Sequence, residues 1–386
     1  MWLVNEKRGA KDRPIAIDLF CGVGGMSLGF EQAGFDVLAG FDNEQRHVDA
    51  YHSNFPNSKA INANLSVVSG DDIRAEADIG NCPIDVVFGG PPCQGFSYIG
   101  HRNSDDPRSE LLLHFARLIG ELTPSYFVVE NVRGLLADWS AKCLEAFTEK
   151  AVAAGYSLTE PSLLNAADFG VPQNRRRVFI IGARNGLSLP KIPEPLTTSN
   201  GNRGALLLRP VVRDAIGDLP NIDGYDELLF SDGIEWKSNP FSDYARYLRG
   251  EKKDPTDLSR KRRRQQRLTG CLRTAHTAST LRRFRKTEQG KSEPTSRLYR
   301  LNWDRLAPTI RAGTDSSHGS FMAARPIHPE HHRCISVREA ARLHSFPDWF
   351  QFHPTKWHGF RQIGNSVPPL LARAVAGRVY IAVRAQ

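Results

Sequence analysis

Residues 14–30, which read PIAIDLFCGVGGMSLGF, decide the fold class of this chain. The run from Pro14 to Phe20 is short and apolar, which predicts a buried strand. A glycine-rich turn follows, and then an amphipathic run that predicts a helix. Because glycine lets the backbone approach a ligand and a helix amino terminus offers free N–H groups, this unit is typical of nucleotide-type folds. Ser27 stands where the dinucleotide pattern GxGxxG needs its third glycine, so that pattern fails.

Predicted strands and helices alternate beyond this unit. A second strand ends in Asp42, Asn43 and Glu44, where acids can accept hydrogen bonds from a ribose or cap the next helix. Further buried strands are predicted over residues 84–88, 126–129 and 177–182, and helical spacing covers 110–122. This alternation predicts an α/β fold with a doubly wound, mainly parallel, Rossmann-like sheet.

The strand at 84–88 leads into the stretch GGPPCQGFS at residues 89–97. Two glycines and two prolines end the strand and stiffen the turn, which holds the Cys93 thiol where open α/β sheets bind ligands. A cysteine in a turn is more often a small buried residue than a nucleophile, so Cys93 alone decides nothing. Glu130, at the end of the next predicted strand, would lie beside it. Residues 95–108 are predicted to form a loop that closes over a substrate.

The net charge of +9 is concentrated in one segment. Residues 246–300 hold 18 basic and 5 acidic residues, an excess of 13, so the rest of the chain carries −4. A mildly acidic body with one basic segment is typical of proteins that bind polyanions, although a solvated, partly disordered charge run would have the same composition.

Composition also excludes several classes of protein. No apolar run approaches the about 20 residues that span a bilayer, and the six cysteines form no CxxC pair. The cysteine spacing argues against a disulfide framework and a structural zinc site. We therefore predict a soluble, cytoplasmic protein without a metal.

The pattern changes near residue 187, where prolines and a Thr/Ser/Asn/Gly stretch predict irregular structure. We predict a catalytic domain over 1–188, a smaller irregular domain over 189–335, and a return to the catalytic domain over 336–386. Ser336 and Glu339 predict a capping box at the start of a helix. Pro368 and Pro369 open the last predicted helix.

Six motifs occur in one order along the chain: DLFCGVGG at 18–25, PPCQGFS at 91–97, ENV at 130–132, QNRRR at 173–177, REAARL at 338–343 and GNSVPP at 364–369. With these motifs the chain resembles the DNA (cytosine-5)-methyltransferases of the single-chain prokaryotic type. The resemblance covers nearly the whole chain except the region 190–295.

The resemblance implies transfer of a methyl group from S-adenosylmethionine to C5 of a flipped-out cytosine in a specific double-stranded DNA sequence. Cys93 would add to C6 of the base, and Glu130 would bind its Watson–Crick edge and share a proton at N3. Arg175 and Arg177 would contact the base and keep the surroundings of the nucleophile positive, while Arg176 would point to the opposite face of the strand.

The resemblance also implies a cofactor pocket. Its residues would be Asp18, Phe20, Gly22, Gly24, Glu44, Asn64, Pro92, Leu111 and Asn365. Phe20 would lie against the adenine and Glu44 would bind the ribose. The chain departs from the family pattern twice: Gln45 replaces a common tryptophan, and Asn64 stands where an aspartate usually meets the adenine amino group. Asp71 and Asp72 are alternatives to Asn64.

The resemblance implies that the smaller domain over 189–335, which holds the basic segment, is the target-recognition domain. Its implied DNA contacts, with two from the cysteine loop, are Gln94, Ser97, Arg262, Arg263, Arg282 and Arg283. A tRNA cytosine methyltransferase is the alternative, since a compact branch of the family modifies tRNA, but the large basic insert favours DNA. A non-catalytic DNA-binding module and a nicotinamide oxidoreductase fit less well. We expect the protein to be a monomer associated with the nucleoid. A restriction endonuclease that acts separately is a possible partner, and only the neighbouring genes would reveal it.

Overall fold

The computed structural model describes residues 13–92, 110–199, 206–236, 240–260, 262, 267–313 and 325–386. Four predicted site residues lie outside these ranges: Cys93, Gln94, Ser97 and Arg263. The predicted closing loop over 95–108 also lies outside them.

A mixed sheet forms the centre of the molecule. The strands up to residue 184 are β1 (Ile15–Leu19), β2 (Asp36–Asp42), β3 (Lys59–Asn62), β4 (Val86–Gly89), β5 (Tyr126–Val132), β6 (Tyr156–Leu158), β7 (Ser162–Asn165), β8 (Gln173–Asn174) and β9 (Arg176–Arg184). The central sheet has the order β3-β2-β1-β4-β5-β9-β6, with β7 also paired to β9. The first five strands are parallel, and β9 runs antiparallel to its neighbours. The predicted doubly wound, mainly parallel sheet is confirmed.

Helices cover both faces of this sheet. The described ranges contain the helices α1 (Gly25–Ala33), α2 (Gln45–Asn54), α3 (Gly70–Glu76), α4 (Glu110–Leu122), α5 (Ala141–Ala153), α6 (Val212–Ile216), α7 (Asp243–Leu248), α8 (Ala278–Lys286), α9 (Val337–Leu343), α10 (Lys356–Asn365) and α11 (Pro369–Arg384), of which α1, α3, α4, α5 and α11 pack on the sheet. Because strand side chains alternate between faces, Ile17 packs toward α3, α4 and α5 while Ala16 packs toward α1 and α11. Phe30 of α1 stacks on Phe88 of β4 with 3.7 Å between ring centroids.

The described part of the region 189–335 forms short elements. Its strands are β10 (Thr197–Thr198), β11 (Leu207–Leu208), β12 (Ile234–Glu235), β13 (Arg267–Leu268) and β14 (Ala307–Pro308). One buried cluster joins Ile216 of α6 to Leu28 of α1 and Leu343 of α9, so the core crosses the predicted domain boundaries. Those boundaries therefore remain predictions.

Two expected end features of helices are present. Ser336 and Glu339 form the predicted capping box of α9, and Pro369 is the first residue of α11. No helix within the described ranges is both long and apolar enough to cross a membrane.

Candidate active site

The carboxyl ends of three adjacent strands converge at one edge of the sheet. Leu19 of β1 pairs with Gly89 of β4, and Gly89 pairs with Val129 of β5. The residues that follow therefore leave the sheet side by side. A methyl group on Gly89 would lie 2.0 Å from the carbonyl oxygen of Leu19, so only glycine fits there. Gly90 and the two prolines that precede Cys93 come directly after this close contact in the chain.

Glu130 and Arg177 form a buried ion pair at this edge. Arg177 Nε lies 2.9 Å from Glu130 Oε1, and the side chains are 13% and 10% exposed. Burial raises the pKa of the Glu130 carboxyl, against the opposing effect of Arg177 and, more weakly, Arg175. A methyl group on Gly90 would lie 2.9 Å from Glu130 Oε2, so this carboxylate faces the turn that leads to Cys93.

Asn131 ties the two strand ends together. Its Nδ2 donates a hydrogen bond to the carbonyl oxygen of Pro91 at 3.4 Å, and its Oδ1 accepts one from the Val132 amide at 2.8 Å. Sequence reasoning gave Asn131 no role. Its place directly after Glu130, in a strand that reaches the same edge as β4, was the signal that could have found it.

Arg175 differs from the expected substrate contact. It is fully buried, and its two terminal nitrogens donate to the carbonyl oxygens of Ile310, Gly364 and Ser366 at 2.7–3.0 Å. In this structure Arg175 therefore binds backbone of the same chain at both nitrogens. Sequence reasoning could not find these partners, because they lie more than 130 positions away.

The glycine turn after β1 leaves space for a ligand. Phe20 has a left-handed backbone with φ of 64°, which strains a residue with a side chain, and its ring is half-buried. Gly22 also has positive φ, and nothing lies within 4 Å of where its Cβ would be. The Gly22 amide donates to Asp42 Oδ2 at 2.9 Å, so Asp42 holds the turn. The sequence left the role of Asp42 open.

Asp18 of β1 and Gly24 of the turn pack beneath the turn. Asp18 is fully buried and accepts a 2.5 Å hydrogen bond from Ser27 Oγ, and burial raises the pKa of its carboxyl. A methyl group on Gly24 would lie 2.2 Å from the ring of Phe55. Asp18 and Gly24 thus pack inside the protein, whereas Phe20 and Gly22 border the open space.

Glu44 borders a cavity of about 180 Å³ between α2 and α10. Its carboxylate is 42% exposed and pairs with Arg46 at 2.8 Å. The cavity is lined by Glu44, Arg46, His47, Trp357, His358, Arg361 and Gln362. Gln45 is engaged elsewhere, with Asp49 and Asn62. Trp357, which the sequence reasoning missed, lines the same cavity as Glu44.

The remaining predicted cofactor residues lie at the surface. Pro92 and Asn365 are exposed, and Leu111 is half-buried. Asn64 is also exposed, and its Oδ1 accepts hydrogen bonds from Ser66. Of the two alternatives to Asn64, Asp72 is engaged in the capping box of α3.

The whole site lies within a stretch that matches a known family. Residues 15–380 match the family described as C-5 cytosine-specific DNA methylase. The chain belongs to this family. It is therefore a DNA cytosine-5 methyltransferase. It is 50% identical over 374 residues to the type II methyltransferase M.XorII of Xanthomonas oryzae pv. oryzae. This alignment covers 96% of this chain and 86% of the relative.

Solved structures resemble this methyltransferase along its whole length. The crystal structure of a DNA modification methyltransferase encoded within an E. coli prophage aligns with a TM-score of 0.79 and 32% identity, covering 96% of this chain and 99% of that one. The Dnmt2 methyltransferase of S. pombe aligns with a TM-score of 0.57 and 18% identity, covering 97% and 99%. The second likeness shows the fold alone.

Much of the basic segment of the methyltransferase is engaged within the chain. Arg262 donates to both carboxylate oxygens of Glu31, at 2.9 and 2.6 Å, and Arg260 pairs with Asp36. Arg262 therefore fixes its segment to α1 in this structure, and a DNA contact by Arg262 stays a prediction. Its partner could not be predicted because Glu31 lies 231 positions away.

Three exposed basic residues lie together on α8. Phe284 is buried and anchors this helix, while Arg282, Arg285 and Lys286 are exposed. Within the described ranges none of these three pairs with an acid, whereas Arg283 lies 3.3 Å from Glu293. Arg282 thus has the position that a DNA contact requires, and α8 adds two neighbours that the sequence reasoning missed.

Proposed function

We propose that this methyltransferase transfers a methyl group from S-adenosylmethionine to C5 of a flipped-out cytosine in a specific double-stranded DNA sequence, through a covalent bond between Cys93 Sγ and C6. One observation carries the proposal: the turn before Cys93, the Glu130–Arg177 pair and the open glycine turn meet at adjacent strand ends. The type II names of the relatives support a modification role, and we propose a monomer that works apart from any restriction endonuclease.

The residues divide the reaction into simple steps. Addition of the Cys93 thiolate to C6 moves electrons toward C5 and N3 of the cytosine, which makes C5 a nucleophile. Glu130 donates a proton at N3 as charge develops there, and burial favours its protonated form. After C5 has taken the methyl group, which leaves S-adenosylhomocysteine, a base takes the C5 proton. The electrons of the broken C5–H bond then restore the C5–C6 double bond and expel the Cys93 thiolate, and N3 returns its added proton to Glu130.

The described residues fit an adenosyl cofactor. When bound, S-adenosylmethionine supplies an electrophilic methyl group. Gly22 leaves room for close approach, the strained Phe20 presents a ring, and the exposed Glu44 carboxylate can accept hydrogen bonds from ribose hydroxyls. Trp357 and Arg361, four residues apart on α10, both line the cavity that Glu44 borders, so this helix supplies one wall of the proposed pocket. Asn365 is the last residue of the same helix.

Replacing Trp357 with alanine should therefore weaken binding of S-adenosylhomocysteine about tenfold, because an aromatic face contributes about 1.4 kcal/mol to a contact of this kind. Isothermal titration calorimetry measures the dissociation constant directly. Trp236→Ala is the matched control, since Trp236 lies in the small domain against Arg249. Equal affinity of the Trp357→Ala variant and the native protein would remove Trp357 from the pocket.

Replacing both Arg282 and Arg285 with alanine should lower DNA affinity and its dependence on salt. If each arginine neutralises one phosphate, the slope of log affinity against log salt should become shallower by about 1.8. Fluorescence anisotropy at several salt concentrations gives this slope. Lys142→Ala, on the exposed side of α5, should leave it unchanged. If the salt dependence of DNA affinity is unchanged in the double variant, the basic face of α8 is solvated and does not bind phosphates.

The decisive test of function is a map of the product. The protein is incubated with S-adenosylmethionine and plasmid DNA, and 5-methylcytosine is located at base resolution. Methylation at one short recurring sequence is the expected result, and it would supply the recognition site. Transfer to tRNA but not to DNA would overturn the proposal in favour of RNA modification.

A further inference from the structure

We propose that Arg175 is a positioning residue, which together with Gln173 and His344 forms a buried clamp. The clamp joins the strand that carries Arg177 to two other segments. These are the return segment, residues 307–312, where the chain leaves the small domain, and the C-terminal turn at residues 364–366. The inference rests on the proposed function, because it concerns the alignment of Glu130 and Arg177 for that reaction.

The return segment is held by hydrogen bonds to both the amide and the carbonyl group of Ile310. Gln173 Oε1 accepts a hydrogen bond from the Ile310 amide at 3.2 Å, and Arg175 donates to the Ile310 carbonyl oxygen at 3.0 Å. Next to this residue, β14 pairs with β8, and Thr309 Oγ1 donates to the Asn174 carbonyl oxygen at 2.7 Å. Ile310 is fully buried, so these bonds are shielded from water.

The turn at residues 364–366 is bound by the same arginine. Arg175 donates to the carbonyl oxygens of Gly364 and Ser366 at 2.7 and 2.8 Å. A methyl group on Gly364 would lie 2.3 Å from the Ala312 nitrogen, so the return segment passes directly against this turn. Arg175 thus lies at the place where three separate parts of the chain meet.

His344 completes the clamp. Its Nε2 lies 2.9 Å from the Ser366 carbonyl oxygen, and its Nδ1 lies 3.1 Å from Gln173 Nε2. The carbonyl can only accept and the amide nitrogen can only donate, so His344 is neutral with its proton on Nε2. Burial and the nearby Arg175 lower the pKa of His344, in agreement with this tautomer.

The clamp reaches the active site through a short length of backbone. Arg175 and Arg177 are two residues apart on an extended chain, and Arg177 pairs with Glu130. A shift of Arg175 therefore moves Arg177 and, with it, the carboxyl group that meets the base. Among the described residues Arg175 acts through this backbone rather than through a bond to Glu130.

The test compares four variants of the full chain. Arg175→Lys cannot reach all three carbonyl oxygens, and His344→Leu makes neither hydrogen bond. His344→Gln can donate to Ser366 and accept from Gln173, so it should restore function. Arg176→Lys changes the exposed neighbour of Arg175 and is the matched control.

We expect Arg175→Lys and His344→Leu each to lower kcat about 10- to 100-fold, since small misplacements of catalytic groups have effects of this size. KM for DNA and for S-adenosylmethionine should stay within about threefold of the native values, because neither residue is proposed to bind substrate. His344→Gln and Arg176→Lys should retain native kcat. Hydrogen exchange should show faster exchange of the Ile310 amide in the two impaired variants, without any substrate present.

The outcomes separate the inference from the proposed function. Native kcat in His344→Leu, or a large rise in KM for DNA with unchanged kcat in Arg175→Lys, would overturn the positioning role while the native enzyme remains active. If His344→Leu fails to fold, kcat of Arg175→Lys and hydrogen exchange at the Ile310 amide of that variant still test the positioning role. A native protein that methylates nothing would contradict the proposed function and the positioning role with it.

Discussion

Replacing Cys93 with alanine is expected to abolish methyl transfer while S-adenosylhomocysteine and DNA still bind. Without a thiolate to add to C6, cytosine C5 stays a poor nucleophile, and the rate should fall by about 10⁴-fold or more, equal to at least about 5 kcal/mol of activation free energy. Methyl transfer to plasmid DNA is measured alongside binding of each substrate. Retained turnover would remove Cys93 from the role of nucleophile.

The covalent step can be observed directly. DNA that carries 5-fluorocytosine at the target position has no C5 proton to lose, so the enzyme cannot be released after methyl transfer. The native protein should form a complex that survives denaturing electrophoresis, and Cys93→Ala should form none. Cys82→Ala is the matched control, because Cys82 is half-buried at the other end of β4. It should trap DNA as the native protein does.

Replacing Glu130 with glutamine is expected to lower kcat about 10²- to 10³-fold, the usual contribution of a positioned proton donor. The amide has nearly the shape of the carboxyl group, and its oxygen can still accept from Arg177, so the fold should be kept. Glu121→Gln removes another carboxylate that pairs with an arginine, on the surface of α4, and should leave kcat unchanged. Native kcat in Glu130→Gln would show that N3 needs no proton from this residue.

The pH dependence gives a second reading of Glu130. Burial raises its pKa above the ordinary value of a glutamate. If the protonated form is the donor, kcat should fall as the pH rises through this pKa, because the protonated fraction falls. The glutamine variant carries no titrating group there and should lack that limb. Replacing Arg177 with glutamine removes a charge that lowers this pKa, so the limb should move to higher pH.

Local patterns predicted the elements of the fold well. Helix α4 has the bounds expected from its apolar spacing, and the capping box at Ser336 starts α9 as expected. These features depend on residues a few positions apart, which the sequence displays directly. The antiparallel β9 could not be foreseen, because the direction of a strand depends on how the chain crosses the sheet rather than on its own residues.

The candidate site was predicted less completely. The family resemblance brought Glu130 and Arg177 to one site, and they do form a pair. Local patterns alone would have put Arg177, at the start of its strand, at the other edge of a parallel sheet. The partners of Arg175 and Arg262 are set by distant segments, and the same residue type can bind a phosphate, a carboxylate or a carbonyl oxygen. Trp357 lies in a helix far along the chain from Glu44, and only the fold brings them together.

The packing of α11 on α1 sets an order of events during synthesis. A methyl group on Gly29 of α1 would lie 2.5 Å from Ala372 Cβ, so the last helix lies directly on the first. Until residues 369–384 have left the ribosome, the apolar face of the sheet that packs against α1 lacks the second helix of its cover. The basic residues of α8 emerge earlier than this cover. We therefore expect a growing chain to meet nucleic acid before it is able to alter it, and modification to begin only once α11 has packed on α1.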